Sequence, residues 1–401
     1  MSAPRAYPRL RCPGALCLSA GLIMVGGLVL QAPAASATYG PPGPPQASPS
    51  VAVPLSGSVT GSATTWATVL MGRNDGEFDL FWQLFSLNAR TGHFALVTPP
   101  GVADNGGLMV APDATGTTAL VGIGASQGLT FSPLALTANR GETWIQGGLP
   151  DALDAAPSVL GFDTAGDALA LVNGTAQTVL DRSGSLTSWK TIATRDTLAN
   201  TPAGHSCVIG SLEAVALGPG EIPLVGASCR EPDTPGVFVD SDAQWHLADI
   251  PIPVRLVDDL FAVVRLQPSS ALFAAVHGKT ASIVAAWEPT LERPWALSPP
   301  LAVGSIEDLI ASGTGPGETQ FVLVRDQKTV RAEIVSGPGA NWHSIPPLPR
   351  DVATLAFAPN GTLYALGVND TLLYVWRLAA SRQSWVKAQT IKVPIVFGSS
   401  A

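Results

Sequence analysis

Charge is what this chain has least of. Only 13% of its 401 residues are Asp, Glu, Lys or Arg, against an average of about 25%. The balance is acidic, with 30 carboxylates, 22 basic side chains and a net charge of −8. Such a chain has no electrostatic drive towards nucleic-acid phosphates or anionic lipid, so neither is expected as a partner. Past residue 37 no stretch sustains a helical apolar period, which excludes a helix bundle. The five histidines (His93, His205, His246, His277 and His343) are scattered without paired spacing, so no metal centre is expected. No Gly-x-Ser-x-Gly stands in a strand–turn–helix context, there is no phosphate-binding loop, and no cofactor is expected.

Long apolar runs are equally rare. Leu16–Leu30 is a 15-residue stretch without charge. As a helix it would rise about 22 Å, short of a bilayer core of roughly 30 Å. Arg5, Arg9 and Arg11 precede it and Ala35-Ser36-Ala37 follows it. This pattern predicts a secretory signal peptide over residues 1–37, cleaved after Ala37, with an uncleaved anchor as the alternative. Residues 38–54 are a Pro-rich linker, which cannot bury enough apolar surface to fold. The expectation is a secreted or extracytoplasmic protein, monomeric, with no membrane contact beyond export. Loss of three arginines with the leader makes the remaining charge −11.

Cysteine is scarce too. Two of the four leave with the leader, and Cys207 and Cys229 remain. They flank a turn at Gly218-Pro219-Gly220-Glu221, which puts them nearly opposite each other on paired strands. A disulfide is expected in an exported protein, with two buried free thiols as the alternative.

What the chain does have is regularly spaced tryptophan. Trp144, Trp189, Trp245, Trp295, Trp342 and Trp385 are separated by 45, 56, 50, 47 and 43 residues, and Phe94 lies 50 residues before the first. A period near 50 with short strands in each unit predicts an all-β, seven-bladed β-propeller over residues 55–401, with four antiparallel strands per blade. A pair of β-sandwiches, or a ring of six or eight blades, is the alternative. The last repeat is clearest: VATLAFAP, the turn Asn360-Gly361, TLYALGV, the turn Asn369-Asp370, TLLYVWRL, then SWVKAQTI. Tryptophan opens the outermost strand, where a wedge-shaped blade has most volume to fill. The first repeat lacks a clear innermost strand; Val51–Leu55 and Val393–Phe397 are the two candidates.

Thr137, Asn139, Gly141, Thr143 and Trp144 fall at the positions of Ser/Thr-x-Asp-x-Gly-x-Thr-Trp, with Asn139 in place of Asp. This segment resembles the Asp-box of the sialidase-type propeller superfamily, and Val239–Trp245 is a partial copy without the glycine. The resemblance implies a turn between third and fourth strands, capped by the amide, with Gly141 at positive φ and Trp144 packed into the blade. It extends over the chain from about residue 55 as architecture. The superfamily includes sialidases, photosystem II assembly propellers, sortilin-like receptors and xyloglucan hydrolases.

A sialidase of this resemblance would carry an arginine triad, a Tyr–Glu pair and an Arg-Ile-Pro motif. The motif is absent, and Tyr39, Tyr364 and Tyr374 have no obvious glutamate partner. The expectation is therefore a non-enzymatic propeller binding a protein or glycan on its loop face. The alternatives are a divergent glycoside hydrolase with an acidic site and a purely structural surface-layer module. The ligand-contacting candidates lie in loops leading into inner strands: Asp104, Asp258, Asp259, Glu307, Asp308, Arg350 and Asp351, with Asp151 and Asp154 similarly placed. Arg73 and Asp75, and the loop Arg230–Asp233, join second to third strands on the same face. Facing carboxylates could serve glycoside hydrolysis or hold a cation; single ones would be solvated turn caps.

Overall fold

The computed structural model describes residues 56–394 apart from 73–79, 101–106, 125–129, 155–157, 174–176, 183–184, 231–234, 289, 291–292, 328 and 380–382. The expected leader and linker, the loop residues Arg73, Asp75 and Asp104, and most of Arg230–Asp233 lie outside the described residues.

The described chain folds into consecutive antiparallel meanders, each continuous in sequence. The first is β1–β4 (Ser56–Thr60, Thr64–Met71, Phe81–Asn88, His93–Leu96) and the second β5–β8 (Leu108–Pro112, Ala119–Ile123, Pro133–Thr137, Ile145–Gly148). The third is β9–β12 (Leu160–Phe162, Ala168–Asn173, Gln177–Arg182, Trp189–Thr194) and the fourth β13–β16 (Ile209–Leu217, Pro223–Cys229, Gly236–Ser241, Gln244–Leu247). The fifth, β17–β21, runs through Leu260–Gln267, Ser270–His277, Thr280–Trp287, Ala296–Leu297 and Leu301–Gly304. Its last two strands both pair with β19. The sixth is β22–β25 (Leu309–Thr314, Gln320–Asp326, Thr329–Val335, His343–Ser344) and the seventh β26–β29 (Val352–Phe357, Leu363–Asn369, Leu372–Leu378, Trp385–Lys392).

Apolar residues on both faces of these strands glue each meander to the next. Trp66 and Leu84 meet Leu108 and Val121 between the first and second. One cluster runs from Leu120 through Leu169 to Phe238 across the second, third and fourth. Phe261 and Phe273 meet Leu224, Val322 meets Ile283, and Phe357 meets Phe321 at the following seams. The ring closes where Phe85 and Phe94 pack with Tyr364 and Leu373. Among the described residues no strand is exchanged at that closure. Instead the Gln389 amide donates to Phe94 O at 2.8 Å and accepts from Phe94 N at 2.9 Å. The fourth-strand tryptophans lean on the preceding meander: Trp342 Nε1 donates to Pro299 O at 2.9 Å, and Trp144 meets Trp66 edge-on at 6.3 Å.

The innermost described strand of the first meander is Ser56–Thr60; the expected candidate Val51–Leu55, and all of Val393–Phe397 past residue 394, lie outside the described residues. Ser56–Thr60 pairs in parallel with β22, Gly57 opposite Ser312. Only a residue without a side chain fits there, because a Cβ on Gly57 would lie 2.4 Å from Ser312 O. A run as small and polar as SGSVT gives no hydrophobic strand signal.

Two short helices break the all-strand pattern between the third and fourth meanders. α1 is Arg195–Ala199, capped by Thr194, and α2 is Pro202–Cys207, capped by Thr201. Cys207 therefore ends a helix, where a strand was expected. Its bridge to Cys229 at the end of β14 is present, with Cα atoms 4.9 Å apart.

The turn at Thr137–Trp144 has the geometry its residues imply. Asn139 Oδ1 accepts from Thr143 N and from the Thr137 hydroxyl, each at 2.9 Å, and Thr137 Oγ1 accepts from Gly141 N at 2.9 Å. Gly141 sits at φ 87°. The partial copy is not a second such turn: Asp242 and Ala243, at φ 55° and 57°, make a two-residue hairpin between Ser241 and Gln244.

Candidate functional site

The inner strands run in the same direction, since β1 pairs in parallel with β22 and Ser158 forms a parallel bridge to Ala214. Their trailing ends, and the hairpin turns that follow, gather on one side. The turns of six meanders leave a cavity of about 650 Å³ between them, bounded by Val59–Gly61, Pro112–Ala114, Phe162–Thr164, Leu217–Glu221, Gln267–Ser270 and Thr314–Thr319. Small-molecule sites span about 300–1,000 Å³.

The chemistry of this mouth is one-sided. Asp113, Asp163, Glu221 and Glu318 line it, with no Lys, Arg or His among the lining residues. Asp167 adds a further acid. The carboxylates of Asp163, Asp167 and Glu221 lie within 4.8 Å of one another, the one such trio among the described residues. Local turn chemistry sets them there. Asp163 Oδ1 accepts from Gly166 N and Asp167 N, both at 2.9 Å, which folds the β9–β10 turn around its own side chain. Glu221 follows Gly220, and both adopt positive φ, 64° and 72°. Asp113 Oδ1 accepts from Thr115 Oγ1 at 2.8 Å. Repulsion from Asp167 and Asp163 pushes the Glu221 carboxyl above the usual range. A proton or a cation would relieve that repulsion.

The sequence-derived candidates sit at the leading ends of the inner strands, opposite the mouth. Asp258 is exposed; Asp259 is buried and pairs with His277 Nδ1 at 3.1 Å. Asp308 Oδ2 accepts from Ser305 N at 3.0 Å, while Ser305 Oγ accepts from the backbone of exposed Glu307, closing a capping box. Arg350 and Asp351 are exposed ahead of β26. Asp154 is buried and takes a hydrogen bond from Gln177, whose amide also bonds both backbone groups of Leu212. Asp151 is half-buried. The mouth acids gave no site signal because PDATGT, FDTAGD and GPGE read only as turns.

Between the two ends Glu213 is buried on β13, its carboxylate accepting from Val263 N at 2.6 Å and from Ser211 Oγ at 3.3 Å. Burial raises its pKa to about 7 despite these bonds.

No protein-family model and no curated protein sequence matches the chain. Solved structures do. A GH74 xyloglucanase from Xanthomonas campestris superposes with a TM-score of 0.52 at 13% identity, over 84% of this chain and 54% of that one. A GH74 enzyme from Niastella koreensis gives 0.52 at 12%, over 84% and 55%. The chain thus spans about half the length of these two enzymes. A candidate 6-phosphogluconolactonase from Bacteroides fragilis gives 0.49 at 14%, over 81% and 95%. At these identities the likeness concerns the fold alone: the chain is a β-propeller in which several sheets are four-stranded and antiparallel.

Proposed function

We propose that the protein is an exported, non-catalytic propeller of seven blades that seats a partner's positively charged group in its axial mouth. That group would be a Lys or Arg side chain of a protein or the amino sugar of a glycan. One observation carries the reading: a cavity of about 650 Å³ lined by four carboxylates and no basic side chain. A unit charge brought to about 4 Å of a carboxylate near a protein surface gains up to about 4 kcal/mol before desolvation and screening.

Export is supported by the Cys207–Cys229 bridge, since disulfides persist in oxidising compartments, and by the leader pattern of residues 1–37. Kinship with sialidase-type propellers is supported by the hydrogen bonds of the Thr137–Trp144 turn.

A divergent glycoside hydrolase is the second reading, favoured by the close carboxylate trio, since neighbouring carboxyl groups can divide the acid and base roles. A thermal-shift panel separates the two. Oligolysine and chitosan oligosaccharides should raise the melting temperature, fully N-acetylated oligomers should not, and no reducing ends should form. Reducing ends that disappear with Glu221→Gln would establish the hydrolase instead. No shift with any cationic ligand would remove the mouth as a site.

A further inference from the structure

Arg265 is a buried cation without a counter-charge. It points inward from β17, only 6% exposed, and reaches β22, where Nε donates to Ser312 Oγ at 3.2 Å and Nη2 to Ser312 O at 2.9 Å. Gly57 of β1 makes room for it, since a Cβ there would lie 2.6 Å from Nη2. Among the described residues Nη1 has no protein partner, and no carboxylate lies within ion-pair distance. Glu213, a buried acid on β13, bonds the backbone of Val263 rather than the guanidinium. Burial lowers the Arg265 pKa to about 10, with no neighbouring charge contributing, so the group stays ionised at neutral pH. Ser312 satisfies two of its donors but supplies no charge, and keeping an ionised group from water without a counter-charge is unfavourable.

A pocket of about 30 Å³ adjoins this side chain, lined also by Ser158, Leu160, Phe162 and Gln267. Phe162 and Gln267 line the mouth as well, so the small pocket lies just beneath it. Its volume holds two or three water-sized particles, each needing about 10–15 Å³ of such space. That is too little for a sugar or a phosphate ester.

We infer that this pocket is a binding site for a single halide-sized anion, chloride in ordinary salt, which Arg265 Nη1 holds as the counter-ion of its buried guanidinium. The site is independent of what the mouth above it binds.

Bromide replaces chloride in the test. Crystals of the protein grown in sodium bromide should show an anomalous difference peak at the bromine edge in contact with Arg265 Nη1. In solution the melting temperature should climb and level off as sodium gluconate is exchanged for sodium chloride at constant ionic strength, because an anion that binds only the folded state stabilises it by mass action. Arg265→Met should lose both the peak and the chloride dependence. Absence of the peak from the unmodified protein, equal melting temperatures in chloride and gluconate, or a peak that survives Arg265→Met would each overturn the proposal. The first two readings need no variant, so a variant that fails to fold leaves the proposal open to refutation.

Discussion

The two ends of the inner strands carry the same acidic residue types in opposite circumstances. At the leading end Asp259 lies against His277, Asp308 closes a capping box and Asp154 is held by Gln177. At the trailing end Asp163, Asp167 and Glu221 crowd together with no basic side chain among the residues lining their cavity. Asp163 also accepts from Gly166 N and Asp167 N, but these neutral donors leave it crowded against two other carboxylates. Crowded acids repel one another, and an incoming cation removes that repulsion. The difference between a structural and a binding carboxylate here is one of neighbours, not residue type.

The largest expected effect concerns the leading end, which the disulfide braces. Cys207→Ser with Cys229→Ser should lower unfolding stability by about 3 kcal/mol, the loop-closure value for a bridge of this span. Chemical denaturation of the double variant measures it, and the mouth should keep its ligand preference.

Glu213 links the two ends and should make stability pH-dependent. Its folded pKa is raised from 4.5 to about 7. Between those values the folded state holds a proton that the unfolded state has lost, so this group's contribution falls as pH rises through the window and is flat above it. The fall amounts to about 3 kcal/mol, at 1.36 kcal/mol per unit. Glu213→Gln should flatten the slope, seen in urea melts at pH 4.5, 6 and 8.

A smaller effect is expected in the capped turn on the outer side of the trailing end. Asn139→Ala removes the bonds to Thr137 and to both Thr143 groups and should cost about 1–2 kcal/mol. A thermal melt checks it, and ligand binding at the mouth should be unchanged.

The outer ring was far more legible in sequence than the axis. Trp189 and Trp385 open their strands, and Trp144, Trp295 and Trp342 immediately precede theirs, because large side chains fill the wide rim and stand out in composition. Asn360-Gly361 turned the chain as its chemistry dictates, with Gly361 at φ 83°. The centre selects for the absence of side chains, so Ser56–Thr60 left no apolar pattern to read. The helices α1 and α2 are too short to show a period and are marked only by the caps Thr194 and Thr201. The acid trio joins residues more than fifty positions apart, Asp163 and Glu221, and only packing of the third meander against the fourth brings them together.

The most direct test of the account is calorimetric titration of a chitosan oligosaccharide into three forms of the protein: unmodified, Asp163→Asn/Glu221→Gln, and Asp258→Asn/Glu307→Gln. The mouth variant should lose about tenfold or more in affinity, or about 1.4 kcal/mol, while the leading-end variant should bind like the unmodified protein. Equal loss in both variants, or loss confined to the leading-end variant, would contradict the account.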